Sequence, residues 1–267
     1  MTTRPSGTSA AGAPAGVGPA RVALVTGASR GIGRAAALGL AGRGFALFVA
    51  ADGTAAELAA VAEACRRAGS PDAESGQFDF ARAGEAERMV GAALARFARI
   101  DVLVNNAGIR CRKRFGAFTR DDFDRVVAVN LAAAFFASQA VLPAMRAQGG
   151  GRIIHVASQF GSVTGEGQAI YGLTKAALIH LTKTMAYELA RENILVNSVS
   201  PGPIGTQFNR DAWDADPAYR DALYGRVPGG RPGTPEEVAE AITFLATSEG
   251  SFIQGHDLVV DGGFIIH

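Results

Sequence analysis

Two residues, Tyr171 and Lys175, have types and a spacing that suit acid–base chemistry at a carbonyl or hydroxyl group. They lie four positions apart in a stretch with helical periodicity, so they would occupy one face of a helix, one turn apart. A phenol with its ordinary pKa near 10 is a poor acid–base catalyst at neutral pH, and a neighbouring ammonium group favours the phenolate. Lowering a phenol pKa from 10 to about 7 corresponds to about 4 kcal/mol. The pair therefore predicts a tyrosine that donates or accepts a proton.

Lysine is scarce in this chain, which makes Lys175 informative. Of the 26 basic residues, 23 are Arg and three are Lys, at positions 113, 175 and 183. A compact ammonium group on a flexible stem can bond neighbouring hydroxyl groups where a planar guanidinium could not be placed alike. Ser158, thirteen residues before Tyr171, is a candidate to hydrogen-bond and orient a substrate oxygen. Taken singly, a core tyrosine, a solvated lysine and a capping or surface serine explain these residues equally well.

A glycine-rich turn at residues 26–33 is a candidate phosphate-binding site. Its sequence TGASRGIG carries glycines at positions 27, 31 and 33. Glycine allows a tight turn and a close approach of the backbone to a pyrophosphate, and a helix N-terminus supplies N–H donors with a partial positive charge. Because 34 of the 267 residues are Gly, a purely structural turn is the alternative interpretation.

These residues must be positioned by strands and helices that alternate along the chain. The apolar runs predict strands at 22–26, 45–50, 76–79, 102–105, 152–157, 195–199 and 258–260. Helical periodicity predicts helices at 32–41, 55–67, 84–97, 121–146, 171–191 and 235–246. This alternation is typical of an α/β fold, a single Rossmann-type doubly wound domain with a seven-stranded parallel sheet and helices on both faces.

The chain divides into a tail and one domain. Residues 1–20 are rich in Ala, Gly, Pro, Ser and Thr and predict a flexible N-terminal tail, and residues 21–267 form the predicted doubly wound domain. Within it, residues 202–233 interrupt the alternation with Pro, Gly, Asp and aromatic residues. A segment of this kind beyond the sheet edge usually carries substrate contacts, so it is the predicted substrate-binding segment.

Composition excludes several classes of function. The formal charge of +1 favours neither nucleic acid nor an anionic membrane. Cys65 and Cys111 are far apart, and the four His show no ligand spacing, so neither a disulfide framework nor a metal site is expected. No unbroken apolar run approaches the length of about 18 residues that spans a bilayer. We therefore expect a cytoplasmic protein without metal or membrane association.

Several ordered motifs resemble those of the short-chain dehydrogenase/reductase family, in particular its 3-oxoacyl-reductase-like members. They are TGASRGIG at 26–33, NNAG at 105–108, VNL at 129–131, Ser158, YxxxK at 171–175, PGPIGT at 201–206 and VDGG at 260–263. The resemblance runs from about Arg21 to the C-terminus. It implies an NAD(P)(H)-dependent oxidoreductase that interconverts a ketone and a secondary alcohol, with 3-oxoacyl compounds as one substrate class. It also implies a homotetramer with the helices near 121–146 and 171–191 at one interface.

The resemblance implies a catalytic set of Asn130, Ser158, Tyr171 and Lys175, in which Asn130 would hold a water that connects Lys175 to solvent. A noncatalytic dinucleotide-binding scaffold or sensor of the same fold is the alternative, and such a protein would be expected to have lost one of the four. The implied cofactor-binding residues are Gly27, Ser29, Arg30, Gly31, Ile32, Gly33, Asp52, Asp79, Phe80, Asn106, Ala107, Gly108, Tyr171, Lys175, Pro201, Gly202, Ile204 and Thr206.

The cofactor can be NADP(H) or NAD(H). Relatives that prefer NAD usually carry an acid at the end of the second strand, where this chain has Ala51 followed by Asp52. Arg30 in the glycine-rich turn could reach a 2′-phosphate. These residues favour NADP(H) slightly.

Two segments bear on the substrate. Residues 110–114 carry four positive charges, which suggests attraction of an anionic substrate such as an acyl thioester of a carrier or a carboxylate, against the alternative of a solvated basic loop. The same charges are expected to lower the pKa of Cys111. In the second segment, aromatic residues either wall a pocket or form a lid, or else pack on the core or on another subunit; they are Phe208, Trp213, Tyr219 and Tyr224.

Overall fold

A parallel sheet organises the computed structural model, which describes residues 20–266 apart from the side chains of residues 211 and 212. Except for Ala20, the predicted tail at 1–20 lies outside the described residues. Within them the sheet has seven strands, namely β1 (Val22–Thr26), β2 (Ala46–Ala51), β3 (Ala73–Gln77), β4 (Val102–Asn105), β5 (Gly151–Val156), β6 (Ile194–Pro201) and β7 (Asp257–Val260). All neighbours pair in parallel in the order β3-β2-β1-β4-β5-β6-β7. The predicted α/β fold is confirmed.

Helices cover both faces of the sheet because its strands are apolar on both sides. The helices are α1 (Gly31–Ala41), α2 (Ala55–Arg67), α3 (Glu85–Phe97), α4 (Arg120–Val127), α5 (Ala133–Ala147), α6 (Ala169–Leu189), α7 (Gln207–Ala215), α8 (Pro217–Gly225) and α9 (Pro235–Thr247). Buried side chains of α1, α2 and α9 form one core layer, and those of α3, α5 and α6 form the other.

The structure differs from the prediction in three main ways. Strand β3 begins three residues earlier than expected, because it is an edge strand whose central residues are polar and partly exposed, so no apolar run marks it. The helix predicted at 121–146 is divided into α4 and α5 by a π-helical turn over Ala128–Ala132. Two helices, α7 and α8, lie within the segment 202–233, where no helix was predicted.

The helix over residues 120–147 corrects one expectation from the sequence. Its most apolar 18-residue window has a mean hydropathy of 1.7, so by length and composition alone it could cross a membrane. Counting unbroken apolar runs missed it, since polar residues interrupt the run. About a third of the window is buried, and buried residues of α5, such as Ala137 and Val141, pack in the core against the sheet. Phe135 and Phe136 of the same helix are exposed.

The sheet positions a crevice where its strand order reverses. The chain runs from β1 outward to β3 and then returns to β4 on the other side of β1. At such a point the connections leave in opposite directions, so the carboxyl ends of β1 and β4 border an open crevice. The glycine-rich turn follows β1, and the NNAG segment follows β4.

Candidate active site

A cleft of about 490 Å³ opens at the carboxyl ends of the strands. Its wall includes every residue predicted to bind the cofactor except Gly33. Ser158, Tyr171 and Lys175 also line it, whereas Asn130 lies behind the wall. The structure therefore gathers residues of α6, and residues at or just after the carboxyl ends of β1, β2, β4, β5 and β6, around one cavity.

The glycine-rich turn needs its glycines for two separate reasons. Gly27 and Gly31 have φ angles of 63° and 57°, in the left-handed region that other residues rarely adopt. Gly33 packs beneath the turn, where an added Cβ would lie 2.3 Å from the carbonyl oxygen of Gly27 and 2.4 Å from Nδ2 of Asn106. Any side chain at position 33 would push the helix away from the turn.

The N-terminus of α1 is left open toward the cleft. Helices α2, α4 and α9 begin with capping boxes built on Thr54, Thr119 and Thr234. Helix α1 instead follows Arg30, which makes no side-chain cap, and its first residues line the cleft. Backbone N–H groups at this end suit an anionic ligand. A dinucleotide pyrophosphate therefore fits the turn.

Thr26 ties the two loops of the crevice together. Its buried Oγ1 accepts hydrogen bonds from the backbone N–H groups of Asn106, at 2.9 Å, and Ala107, at 3.0 Å. In return, Nδ2 of Asn106 donates to the carbonyl oxygens of Thr26, at 2.8 Å, and Gly27, at 3.1 Å. These bonds hold the NNAG segment at a set distance from the glycine-rich turn.

Helix α6 presents Tyr171 and Lys175 to the cleft, one turn apart. Both are buried, with 7% and 3% of their surface exposed. The Nζ atom of Lys175 lies 5.6 Å from the centre of the Tyr171 ring and donates a 2.7 Å hydrogen bond to the carbonyl oxygen of Val156 at the end of β5. Ser158 follows that strand, and its Oγ accepts a hydrogen bond from the N–H of Phe160.

Charges around Tyr171 change its acidity. Burial raises the pKa of its phenol, but the positive charges of Lys175 and Arg110, together with hydrogen bonds from Ser158 and Arg110, outweigh burial and hold the pKa below its ordinary value of 10. Burial has the opposite effect on an ammonium group and lowers the pKa of Lys175, and the neighbouring phenol opposes this effect. The surroundings thus bring the pKa of the phenol closer to neutral pH, where the group can exchange a proton.

Asn130 occupies the π-helical turn and organises the loop after the NNAG segment. Its Oδ1 accepts a 2.8 Å hydrogen bond from the N–H of Ile109, and its Nδ2 donates to the carbonyl oxygen of Ile109 and to Oγ1 of Thr174. A Cβ added at Gly108 would lie 3.5 Å from both Asn130 Oδ1 and Lys175 Nζ. The fold therefore brings the side chains of Asn130 and Lys175 close to the same glycine.

His155 lies directly behind this arrangement. It is fully buried on β5, where Nδ2 of Asn105 lies 3.2 Å from its Nδ1. Burial, aided by the charge of Lys175, lowers its pKa to about 4. His155 is therefore a neutral core residue at neutral pH.

The basic loop does not act as one positive patch. Lys113 pairs with Asp122, and Arg114 pairs with Glu166. The expected low pKa of Cys111 is wrong. Burial raises that pKa, and the Asp122 carboxylate, which accepts a hydrogen bond from Sγ, raises it further. A nearby acid thus cancels the charges that were expected to activate the thiol.

Arg110 is the basic residue of this loop that turns into the cleft. Its Nη1 donates a 3.0 Å hydrogen bond to Oδ1 of Asn209. The guanidinium carbon lies 4.8 Å from the ring centres of both Tyr171 and Phe208. Asn209 belongs to α7 in the predicted substrate-binding segment, but it was not among the predicted site residues because no motif distinguishes it from its neighbours.

The aromatic residues of the segment 202–233 serve both expected purposes. Trp213 packs edge-on against Tyr224, with ring centres 5.2 Å apart, in a small core with Phe264. Trp213 also lines the cleft, together with Phe208 and Tyr219. The segment is thus an apolar wall anchored by its own core.

Among the side chains that the structure describes, no group of three or more His, Cys, Asp or Glu residues is placed to hold a metal ion.

The chain matches known proteins over all the residues that line the cleft. Residues 27–265 match a family model described as enoyl-(acyl carrier protein) reductase. The chain is 42% identical over 250 residues to a 3-oxoacyl-[acyl-carrier-protein] reductase of Synechocystis sp., which covers 92% of this chain and 98% of that protein.

Two solved structures are similar over nearly their full length. One, from Beutenbergia cavernae, is a candidate NAD(P) dependent gluconate 5-dehydrogenase with NADP bound at low occupancy; the TM-score is 0.87 and the identity 35%, covering 94% of this chain and 100% of that one. The other, from Agrobacterium tumefaciens, is a 3-oxoacyl (acyl-carrier-protein) reductase with NADP bound; the TM-score is 0.85 and the identity 34%, covering 91% and 93%.

Proposed function

The chain belongs to the short-chain dehydrogenase/reductase family, and from this premise we propose that it interconverts a ketone and a secondary alcohol with Tyr171 as the acid–base group. The main support for the proposal is the position of the Tyr171 phenol next to two positive charges. Tyr171 is buried in the cleft wall beside Lys175 and Arg110, whose charges hold its pKa below the ordinary value. A general acid or base works best when its pKa lies near the working pH.

The cleft residues fit a nicotinamide dinucleotide. The open N-terminus of α1 and the glycine-rich turn would hold its pyrophosphate, and Lys175 would bond the ribose hydroxyl groups. Ile204 and Thr206 would face the carboxamide, and Asp79 the adenine. When bound, the dinucleotide supplies or accepts the reducing equivalent at its nicotinamide ring.

The chain's own residues handle the substrate oxygen and its proton. Ser158 would hydrogen-bond the carbonyl or hydroxyl oxygen and orient it toward Tyr171. In reduction Tyr171 would donate its proton to that oxygen, and in oxidation it would accept one. Lys175 would stabilise the phenolate, and Asn130 would hold a water that links Lys175 to solvent. In the oxidation direction, kcat/KM should rise with pH through the pKa of Tyr171, and in reduction it should fall.

Substitution of Tyr171 tests the proposal. NADPH oxidation is measured against 3-oxoacyl thioesters, diketones, ketosteroids and sugar ketones, and NADP⁺ reduction against D-gluconate. Tyr171→Phe should lower kcat at least about 100-fold, because a positioned acid–base group contributes that much. The enhancement of NADPH fluorescence on binding should remain. Full activity of the variant would refute the role of Tyr171. If the wild type turned over none of these compounds, the proposed oxidoreductase activity would be refuted.

We propose NADP(H) as the preferred cofactor and the cytoplasm as the compartment of the protein. Arg30 lines the cleft and is exposed, so it can meet a 2′-phosphate, and both solved neighbours described above contain NADP. Arg30→Ala should lower kcat/KM for NADPH more than for NADH. Arg43→Ala, an exposed arginine in the loop after α1, is the control and should change neither value. Equal losses with both cofactors would refute the assignment to Arg30.

We propose a homotetramer for the assembled enzyme, with α5 and α6 at one interface. Phe135 and Phe136 are 43% and 45% exposed on α5 and pack edge-on against each other, and Tyr187 of α6 is 90% exposed. Large apolar side chains grouped on helices in this way are typical of interfaces. Light scattering should give four times the 27.5 kDa chain mass, and Phe135→Glu with Phe136→Glu should lower it. A wild-type monomer would refute the proposal.

A further inference from the structure

We propose that Arg110 binds a carboxylate of the substrate, so that the enzyme acts on small hydroxy acids or oxo acids. This inference rests on the proposed function, because it places the acid group beside the reacting oxygen at Tyr171. It assigns a specific role to one residue of the basic loop, whose total charge alone did not distinguish a carboxylate from a carrier-bound thioester.

The first argument is the distribution of charge along the loop. Lys113 and Arg114 are paired with Asp122 and Glu166. Arg110, by contrast, forms no ion pair with any acidic side chain among the described residues. A cation that lines a partly buried cleft without a counter-charge is a site for an anionic ligand.

The second argument is the state of its hydrogen-bond donors. Nη1 of Arg110 donates to Asn209 and the guanidinium also hydrogen-bonds the Tyr171 phenol, whereas Nε is buried and has no acceptor. A buried donor without a partner is costly, so natural structures seldom leave one unless a ligand fills it. A guanidinium offers Nε and a terminal nitrogen as a planar fork that matches the two oxygens of a carboxylate. Asn209 thus holds the group by one nitrogen and leaves the edge that contains Nε for the ligand.

The third argument is distance from the chemistry. The guanidinium carbon is 4.8 Å from the centre of the Tyr171 ring, so a carboxylate on this fork must lie within a few bonds of the carbon whose oxygen meets the phenol. A small hydroxy or oxo acid has this spacing. In a 3-oxoacyl thioester the groups next to the ketone are uncharged, and the phosphate of the carrier arm is many bonds away. Such a substrate would leave the Arg110 charge unpaired.

Matched charged and neutral ligands test the proposal. Acetoacetate is compared with methyl acetoacetate, and D-gluconate with D-gluconamide, by kcat/KM. Binding is measured separately by the fluorescence of Trp213, which lines the cleft and is the single tryptophan of the chain, in the presence of NADP⁺. Wild-type enzyme should bind at least one acid about tenfold or more tightly than its neutral counterpart. Equal binding of acid and neutral ligand in both pairs would overturn the proposal.

Arg110→Gln should weaken binding of that acid about 100-fold and change binding of the neutral ligand little, since the fork supplies two charge-assisted hydrogen bonds. Arg110→Lys keeps the charge without the fork and should lose part of the preference, which protects the test if the Gln variant does not fold. Arg114→Gln is the matched control, because its ion pair is exposed, and it should keep the wild-type preference.

The remaining outcomes separate the two proposals. Equal losses for acid and neutral ligands in Arg110→Gln would assign Arg110 to the acidity of Tyr171 and overturn the carboxylate site. Acids that bind through Arg110 without turnover of any ketone or alcohol would leave the carboxylate site standing and refute the proposed function. Turnover of neutral ketones together with equal binding of acid and neutral ligand by the wild type would refute the carboxylate site alone.

Discussion

Replacement of Thr26 by valine should destabilise the crevice, because Thr26 is the hydrogen-bonded link between its two loops. Valine keeps the shape of threonine but removes Oγ1, which accepts from the N–H groups of Asn106 and Ala107. A donor left without a partner inside a protein costs about 1–3 kcal/mol. Both residues are half-buried, so water can partly replace the lost acceptor, and the lower half of that range applies.

Two such donors give a total loss of about 2–4 kcal/mol in the free energy of unfolding. For a chain of this size, that corresponds to a fall in Tm of about 5–15 °C. Asn106 and Ala107 also line the cleft, so NADPH should bind more weakly in the variant. Scanning calorimetry and NADPH fluorescence measure the two effects.

Thr26→Ser is the matched control, since it keeps the acceptor and loses one buried methyl group, worth about 1 kcal/mol. We expect the Ser variant to be clearly more stable than the Val variant and to bind NADPH as the wild type does. A Val variant as stable as the Ser variant would show that these hydrogen bonds do not hold the crevice, and would refute the reasoning.

Three further outcomes are expected. Gly33→Ala should abolish detectable NADPH binding, because its Cβ would lie 2.3 Å from a backbone oxygen. Gly91→Ala is the control: nothing lies within 4 Å of its added Cβ, so it should bind NADPH normally and gain up to about 1 kcal/mol of helix stability. Normal binding by Gly33→Ala would contradict this account. His155 has a pKa of about 4 in the folded state and near 6.5 in the unfolded state, so on acidification the unfolded state binds the proton first. Between pH 7 and pH 4 this should lower the free energy of unfolding by about 3 kcal/mol, and the stability–pH curve of His155→Gln should lack that component. Identical slopes for the two proteins would refute the prediction. In the native protein one thiol, that of Cys111, should react slowly with a disulfide reagent, since Cys65 is buried and its pKa is raised to about 11. If Cys65→Ser abolished that reaction, the reactive thiol would be Cys65 and the prediction would be wrong.

The fold was predictable from the sequence wherever strands are fully buried. In β1 and β4 the apolar runs are continuous, because both faces of a parallel sheet are covered by helices. The boundary of β3 was not predictable in this way, since an edge strand exposes polar residues and produces no such run. The π-helical turn that carries Asn130 also leaves no local signal, because its residues suit an ordinary helix equally well.

The candidate site was predictable where its chemistry is local. Glycines in the turn reflect backbone angles of the same residues, and the spacing of Tyr171 and Lys175 reflects one helical turn. The thiol of Cys111 was misjudged because its acidity depends on burial and on Asp122, eleven residues away in sequence and on another element.

By itself, the sequence determined the order of the strands and of the helices outside residues 202–233, the candidate residues for proton exchange and the candidate turn for a phosphate, because each depends on neighbours within a few positions. Only the tertiary structure decided which charges act in the cleft. Counting four positive charges at 110–114 could not show that two are cancelled by acids while Arg110 is held inward by Asn209, 99 positions away. The physical reason is that electrostatic interactions depend on distance and burial in space, and a list of residue types contains neither.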